Sequence, residues 1–292
     1  MSTYSRLCQV FSAAPVIEID EGSKIVVMSD CHRGDGSWID NFSHNHNIYY
    51  AALRYYFDNG FTYIENGDGD ELWKFRSLHD ISSIYIDIFR LLHRFYHERR
   101  LYMIYGNHDI EKKDPDFVRK NMAAFYDNHA DRYEPLFENI TAYEGLVLKH
   151  RPTGRELFVV HGHQGDPRDD RFWKTGKFFV RHFWRRMELL GFKDITSAAK
   201  NNVKKKHVEK RLYDWAAKNG RFLIAGHTHR PSCPLDQDNL YFNDGSCVHP
   251  TSITALEIEN SEITLVKWSV KTTGDLRLYV NRQEIAVRRK IL

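Results

Sequence analysis

Three short apolar segments in the first half of the chain each run directly into polar residues, and this pattern limits the possible folds strongly. We predict that the segments are buried strands over 24–29, 61–66 and 101–105, with helices between them over 46–59 and about 77–100. A β-α-β-α-β order favours parallel strands joined by right-handed crossovers. Ligands of such sheets bind beyond the carboxyl ends of the strands, so the polar residues there are the first candidates for a site.

The second half predicts a hairpin, a helical region and further strands. The hairpin comprises 146–150 and 156–160 around the turn residues Pro152 and Gly154, and the helical region runs from Asp169 to about Gly220 with an interruption near Gly191. The strands that follow are predicted over 221–225, 240–242, 253–258 and 263–270, the last two as an antiparallel pair. Strands in both halves indicate an α/β, or α+β, fold.

Composition permits one large domain, and we predict a single domain over 1–292 with a helical insert at about 168–220. The formal net charge is only +3, but residues 168–211 contain fourteen Lys and Arg against five Asp and Glu. This basic block favours a partner with phosphates, a nucleic acid or an anionic membrane surface, without distinguishing among them. A solvated helix face is the alternative.

The chain shows neither a long uncharged apolar stretch nor the basic start and apolar core of a secretory signal. We therefore predict a cytoplasmic protein, and the basic insert leaves a peripheral position at a membrane open. The cysteines are widely spaced without a Cys-x-x-Cys pair, so we predict free thiols. They are Cys8, Cys31, Cys233 and Cys247.

Most polar residues after the predicted strands are of types that bind metals. Their nitrogen and oxygen donors suit zinc, manganese, iron or nickel. One metal with four ligands would leave half of them unexplained, whereas two metals that share a carboxylate can also clamp a phosphoryl oxygen. The residues are Asp30, His32, Asp68, Asn107, His108, His161, His163, His227 and His229.

Five motifs together resemble the signature of the calcineurin-like metallophosphoesterases, and the resemblance covers about residues 24–248. The motifs are Asp30-x-His32, Gly67-Asp68-x-x-Glu71, Gly106-Asn107-His108-Asp109, His161-Gly-His163 and Gly226-His227-Thr-His229. The resemblance implies a four-layer α-β-β-α metallophosphoesterase sandwich, here with a helical, basic insert. It also implies a phosphoester hydrolase in which a hydroxide between two metals attacks phosphorus.

The resemblance further implies two divalent transition-metal ions, either manganese, iron or zinc. Coordination would lower the pKa of water to about 7, which makes hydroxide available at neutral pH. The implied ligands are Asp30, His32 and His229 for one ion, Asn107, His161 and His227 for the other, and Asp68 for both.

Other motif residues are candidates for catalysis or substrate binding. The resemblance assigns His108, next to the ligand Asn107, the protonation of the leaving group, and it assigns Glu71 the orientation of His108. His108 alternatively only supports the site. Arg33 is a candidate phosphate ligand through its fork of donors, or else an ordinary surface arginine. His163 is either a hydrogen-bond partner behind the ligands or a substrate contact.

Differences among the branches of the family reduce the range of possible substrates. Leu72 stands where protein Ser/Thr phosphatases have a phosphate-binding arginine, which disfavours that branch. The Gly-Asp-x-x-Glu form, the insert and Pro231 resemble the UDP-2,3-diacylglucosamine hydrolases, but those commonly have arginine at the position of His108. We therefore predict hydrolysis of a small or lipid-linked phosphate ester or pyrophosphate, and a phosphomonoesterase stays open.

The insert is relevant to the identity of the substrate, because its aromatic residues lie beside basic ones in the sequence. Its Phe, Trp and Met side chains either pack against the sandwich or line a slot for acyl chains or a nucleotide ring beneath a basic rim. An anionic lipid or a nucleotide is therefore a candidate partner. The alternatives are a metal-dependent nuclease or phosphodiesterase, with nucleic acid as its partner, and a scaffold of this fold without catalysis.

Overall fold

Short apolar strands alternate with helices from Thr3 to Met122, and the rest of the chain consists of two series of strands separated by a helical region. The computed structural model describes residues 2–127, 130–190, 202–236, 238–260, 262–286 and 289–290. The elements of the first half are α1 (Thr3–Ala13), β1 (Val16–Ile19), β2 (Ile25–Met28), α2 (His46–Asp58), β3 (Thr62–Asn66), α3 (Leu78–Ile84), α4 (Ile86–His97), β4 (Leu101–Ile104), α5 (Pro115–Met122), β5 (Ala124–Asp127), β6 (Arg132–Pro135) and β7 (Ala142–Tyr143).

The second half begins with a hairpin and continues through the insert to a group of strands. Its elements are β8 (Gly145–His150), β9 (Glu156–Val160), α6 (Pro167–Arg171), α7 (Trp173–Phe179), a π-helical segment (Val180–Trp184), α8 (Arg185–Leu189), α9 (Asn202–Asn219), β10 (Phe222–Ala225), β11 (Tyr241–Asn243), β12 (Ser252–Glu259), β13 (Glu262–Thr272), β14 (Leu278–Glu284) and β15 (Arg289–Lys290).

The larger sheet has the order β14-β13-β12-β2-β3-β4-β7, with β15 also paired to β13. The predicted β-α-β-α-β unit forms its centre, because β2, β3 and β4 are parallel neighbours in which Val27 pairs with Ile64 and Ile64 with Tyr102. The predicted antiparallel pair is β12 and β13, and β12 also pairs with β2. All four residues of β2 are buried, as expected for a central strand.

The smaller sheet has the order β1-β8-β9-β10-β11. Its β8 and β9 form the predicted hairpin, and β9, β10 and β11 are parallel. One core cluster contains side chains from both sheets, among them Val27 and Ile64 from the larger and Leu148 and Ile224 from the smaller. The two sheets therefore pack face to face.

Helices cover the outer face of each sheet and complete four layers. Residues of α2, α3 and α4 form a core cluster against the larger sheet, and residues of α1 and α9 form another against the smaller. In the second cluster Leu212 and Trp215 are buried, and the Trp215 indole donates to Cys8 Sγ at 3.3 Å. The expected α-β-β-α sandwich is confirmed.

Several local predictions differ from the structure. The helix predicted over about 77–100 is two helices, because the backbone of Tyr85 leaves the helical conformation at φ −104° and ψ 38°. Its hydroxyl donates to Asp40, which ties this break to the loop after β2. Sequence patterns did not indicate α1, β1, the β5-β6 hairpin or β14. The predicted interruption near Gly191 lies outside the described residues.

Two further predictions concern the whole chain. The four cysteines, all within the described residues, form no disulfide, and Cys31 and Cys247 are buried. None of the helices in the described ranges combines the length and the apolar character that crossing a bilayer requires.

Replacement of Leu212 by alanine should destabilise the protein strongly, because this α9 side chain is fully buried between the smaller sheet and α1. We expect the free energy of unfolding to fall by about 2–5 kcal/mol. Leu235→Ala is the matched control, since Leu235 is 69% exposed, and it should change stability by less than about 0.5 kcal/mol. Urea titration measures both, and equal midpoints would contradict this account of the core.

Candidate metal centre

The predicted ligands lie in loops at the carboxyl ends of strands from both sheets. Because the two parallel sets of strands end at the same edge of the sandwich, residues far apart in sequence meet there. Asp30 and His32 follow β2, Asp68 follows β3, Asn107 follows β4, His161 follows β9, and His227 and His229 follow β10.

One group of ligands consists of Asp30, His32 and His229, whose ligand atoms all lie within 4.8 Å of one another. His229 Nε2 is 3.0 Å from Asp30 Oδ1, and His32 Nε2 is 3.7 Å from the same oxygen. Asp30 is fully buried. A carboxylate and two imidazoles at these distances offer one ion three ligands.

A second group consists of Asp68, His161 and His227, with ligand atoms again within 4.8 Å of one another. His161 Nε2 is 3.2 Å from Asp68 Oδ2, and that oxygen is also 3.8 Å from His32 Nε2 in the first group. Asp68 therefore lies between the two groups, where a bridging carboxylate would be needed. The backbone N–H of His108 donates to Asp68 Oδ1 at 2.8 Å, which places Asn107 beside the second group.

The hydrogen-bonding state of these side chains fits metal binding. Within the described part of the chain, four buried ligand atoms lack a hydrogen-bond partner: Asp30 Oδ1, Asn107 Oδ1, His161 Nε2 and His227 Nε2. A buried polar atom left in this way costs about 1–3 kcal/mol, so each atom needs another partner. Divalent cations supply such partners, and the mixture of nitrogen and oxygen donors suits transition metals.

The backbone of the ligand loops adopts an uncommon conformation. Left-handed backbone angles are unfavourable for side chains other than glycine, and strain of this kind concentrates at functional sites. Five of the predicted ligands have positive φ angles: Asp30 (54°), His32 (49°), Asp68 (50°), His227 (63°) and His229 (54°).

Glycines precede ligands where two loops approach each other closely. A Cβ at Gly106 would collide with the carboxylate of Asp68, and a Cβ at Gly226 would collide with the side chain of Ser29. The glycines of the Gly-Asn-His and Gly-His-Thr-His motifs are therefore required by packing between loops from different strands.

Mutual electrostatics in the site favour charged carboxylates. Burial would raise the pKa of Asp68, but the neighbouring imidazoles, His161 first, hold it well below its usual value. Burial alone would lower the pKa of His161, but Asp68 and Asp30 outweigh it and raise that pKa to about 10. Asp68 is therefore ionised, which is the form of a carboxylate that binds metal ions.

Glu71 connects a predicted ligand to the predicted acid. Its Oε1 is 2.8 Å from His108 Nδ1, and its Oε2 is 3.1 Å from His32 Nδ1. Burial would raise the pKa of Glu71, but His108 and His32 lower it well below its usual value. The ionised carboxylate fixes both rings, and His108 keeps 20% of its side chain exposed.

The insert contacts this part of the site through Trp73. The Trp73 ring stacks on His108 with centroids 4.2 Å apart, and Gly176 of α7 lies close to the same indole, where a Cβ would be 3.1 Å from ring atoms. Arg181 donates to the carbonyl oxygens of Leu72 at 2.6 Å and Trp73 at 3.2 Å. The insert therefore restrains the loop that supports His108.

Arg33 does not occupy the predicted position of a phosphate ligand. It is fully buried, with Nη1 2.7 Å from Glu65 Oε2 and Nε 2.8 Å from Asp70 Oδ1. Its guanidinium also lies over the ring of Phe89 at 5.1 Å. The structure thus argues against a contact with substrate, because the cation is paired with acids beneath the ligand loops.

His163 also lies behind the ligands and away from solvent. It is fully buried, and its ring centroid is 5.6 Å from that of His161. Burial, followed by the nearby His161 and His227, lowers the pKa of His163 well below its usual value, which favours a neutral ring. This placement disfavours the predicted substrate contact, but neither ring nitrogen has a hydrogen-bond partner among the described residues, so the alternative of a hydrogen-bond partner behind the ligands is not observed either.

Two acids near the site were missed by sequence reasoning. Asp244, in a segment interpreted as a turn, is buried and accepts from Ser29 Oγ at 2.7 Å; burial and then Asp30 raise its pKa to about 8. Asp169 of the insert has Oδ2 3.5 Å from His227 Nε2. Asp169 lies beyond His161 at a spacing that matches no motif, so the sequence did not indicate that it would lie near the site. Asp244 follows the strand predicted over 240–242, and this position could have indicated it as a candidate.

The sequence model of the calcineurin-like phosphoesterase family matches residues 23–231, which contain all the predicted ligands. The chain therefore belongs to this family. It is a metallophosphoesterase, a hydrolase of phosphoesters. No curated protein sequence matches the chain significantly.

Solved structures with a similar fold include proteins of several descriptions. Vacuolar protein sorting 29 from Cryptosporidium parvum is 13% identical, with 92% of this chain and 100% of that chain covered and a TM-score of 0.40. A mutant cold-active protein tyrosine phosphatase is 14% identical, with 93% and 83% covered and a TM-score of 0.43. A putative 5'-nucleotidase from Staphylococcus aureus is 14% identical, with 88% and 52% covered and a TM-score of 0.33.

Replacement of Gly106 by alanine should disturb the candidate centre, because the new methyl group would displace the carboxylate of Asp68. We expect metal content and phosphoester hydrolysis to fall at least about tenfold, since an ångström of misplacement can cost a hundredfold. Gly274→Ala is the control, because a Cβ there meets no atom within 4 Å. Elemental analysis and a chromogenic ester assay measure both variants, and normal values for Gly106→Ala would contradict the packing argument.

Proposed function

We propose that the chain hydrolyses phosphoesters at a centre of two divalent transition-metal ions, either manganese, iron or zinc. The main support is that buried ligand atoms without hydrogen-bond partners meet around Asp68 from both sheets. When bound, the ions would activate water for attack on phosphorus and neutralise phosphoryl oxygens. The proposed ligands are Asp30, His32 and His229 for one ion, Asn107, His161 and His227 for the other, and Asp68 for both.

His108 is the proposed acid that protonates the leaving oxygen. Its Nδ1 faces Glu71 at 2.8 Å, which leaves Nε2 to carry the transferred proton. Asn107, its neighbour, contributes as a ligand of the centre. Glu71 acts through His108 as a positioning residue, and it links the acid to the ligand His32.

The proposed substrate is a small or lipid-linked phosphate ester or pyrophosphate. Lys177, Arg181 and Arg185 lie on the inner side of the insert, where Arg181 contacts the loop of Trp73. Positive charge beside a phosphoesterase centre favours anionic ligands, which include a lipid phosphate or a nucleotide. We also propose a cytoplasmic location, peripheral to a membrane, on the basis of this basic insert.

Hydrolysis of nucleic acid phosphodiesters is a second candidate function. Its support is a cavity of about 310 Å³ whose lining includes Lys206, Lys210 and Arg230 together with Glu209, and Arg230 directly follows the ligand His229 in the sequence. Such cations suit a phosphate backbone, whose binding weakens steeply with salt. Cleavage of a fluorescent single strand in manganese, with a salt titration, separates this function from hydrolysis of small esters.

Replacement of Asp68 by alanine tests the proposed function directly. Because the carboxylate lies between both ligand groups, we expect bound metal to fall from about two ions to one or fewer, and turnover of chromogenic monoesters and diesters to fall at least about a thousandfold. Elemental analysis after purification without chelator gives the metal content.

The control for this test is Asp275→Ala, which removes a carboxylate that is 59% exposed and pairs with Arg277. It should retain wild-type metal content and turnover. Undiminished metal and turnover in Asp68→Ala would overturn the proposed centre. A wild-type protein that binds metal but hydrolyses neither ester class with manganese, iron or zinc would leave only a scaffold role.

Replacement of His108 by asparagine tests the acid. The loss of turnover should be about a hundredfold or more for alkyl phosphates, whose leaving oxygen needs a proton, and much smaller for nitrophenyl phosphate, whose leaving group is stable as an anion. His97→Asn is the control, since His97 is exposed on α4. Equal losses for both ester types would indicate that His108 only supports the site.

A further inference from the structure

The outer side of the insert carries a stripe of exposed apolar side chains. They lie between Phe172, just before α7, and Leu190, just after α8, and we call them the outer stripe. They are Phe172 (64% exposed), Phe178 (59%), Phe179 (55%), Phe183 (53%), Leu189 (50%) and Leu190 (73%). Large apolar side chains that are contiguous and half-exposed mark interaction sites in soluble folds.

Polar contacts on the opposite side keep the outer stripe turned away from the sandwich. Lys177 pairs with Glu111, and Arg181 donates to two carbonyl oxygens in the loop of Trp73. Glu188 forms an ion pair with Lys74, with Oε2 and Nζ 2.8 Å apart. The outer stripe is therefore an additional apolar surface, because Val180, Trp184 and Met187 of the same helical run are partly buried.

Within residues 171–190, which carry the outer stripe, basic side chains outnumber acidic ones. Arg171, Lys174 and Arg186 are exposed on the same helical run. Glu188 is the sole acid among residues 171–190, and it faces Lys74 on the inner side. The surface around the stripe therefore complements an anionic partner.

A second copy of the chain fits this surface poorly. A two-fold symmetric contact through the outer stripe would place the same patch on both partners. Lys174 and Arg186 would then approach the same residues of the other copy, while Glu188, the acid among residues 171–190, is paired with Lys74 on the inner side. A surface that accepts Phe and Leu side chains and also supplies negative charge fits better.

We propose that the outer stripe docks on the surface of a bilayer that contains anionic lipids. Helices with Phe and Leu on one side and basic residues at its margins lie in the interface between headgroups and acyl chains. Anionic headgroups attract the basic residues near the surface. This inference builds on the peripheral location proposed above, but it concerns binding and does not depend on hydrolysis.

Cosedimentation of the full chain with vesicles tests the proposal. Vesicles of phosphatidylcholine alone are compared with vesicles of phosphatidylcholine and phosphatidylglycerol. We expect wild type to bind the anionic vesicles at least about tenfold more strongly, and Phe179→Ser/Phe183→Ser to lose at least about tenfold in the partition coefficient. The matched control Leu235→Ser/Leu276→Ser, at residues 69% and 83% exposed elsewhere, should bind as wild type.

Several outcomes would overturn docking on a bilayer. These are weak binding to both vesicle types, equal loss in the control, or self-association by sedimentation velocity that Phe179→Ser/Phe183→Ser abolishes without any vesicle binding.

Lys174→Glu/Arg186→Glu should weaken binding to anionic vesicles alone. Metal content and hydrolysis of a soluble ester, measured in parallel, report on the proposed function separately, since vesicle binding requires neither.

Discussion

The buried carboxylate of Asp109 joins two of the loops that carry candidate ligands. Its Oδ1 accepts from Gly106 N–H at 2.7 Å, and its Oδ2 accepts from Gly69 N–H at 3.1 Å and from Lys112 Nζ at 2.8 Å. Because water does not reach this carboxylate, losing one partner would leave a buried charge uncompensated, which is strongly destabilising. The position of Asp68 between the two ligand groups depends on this connection.

The same charge cluster explains why the site is rigid. Lys112 also pairs with Asp70 at 2.7 Å, and Asp70 pairs with Arg33 beneath the loops. This network, together with strands from both sheets, can hold the ligand loops in left-handed backbone conformations that an isolated loop would leave. The insert also restrains His108, because Arg181 binds the loop that contains Trp73 and the Trp73 ring stacks on His108.

Much of the fold and the ligand set could be predicted because their signals are local. The runs that became β2, β3 and β4 are short, apolar and followed by polar residues, and the hairpin of β8 and β9 has a marked turn. By contrast, α1 and β14 were not predicted, although the apolar spacing of α1 is comparable to that of α2, and the break at Tyr85 depends on its contact with Asp40. A hydrogen bond to a residue 45 positions away leaves no local pattern.

The amino-acid sequence determined which side chains follow the strands, and hence the donor types at the centre. The tertiary structure alone decided that Arg33 is buried among acids and that the insert turns its phenylalanines outward. Periodicity separates the two sides of a helix, but it does not say which side faces the core. The side of the insert that faces the sandwich is fixed by contacts such as Arg181 with Leu72 and Glu188 with Lys74. These contacts join residues more than a hundred positions apart in the sequence.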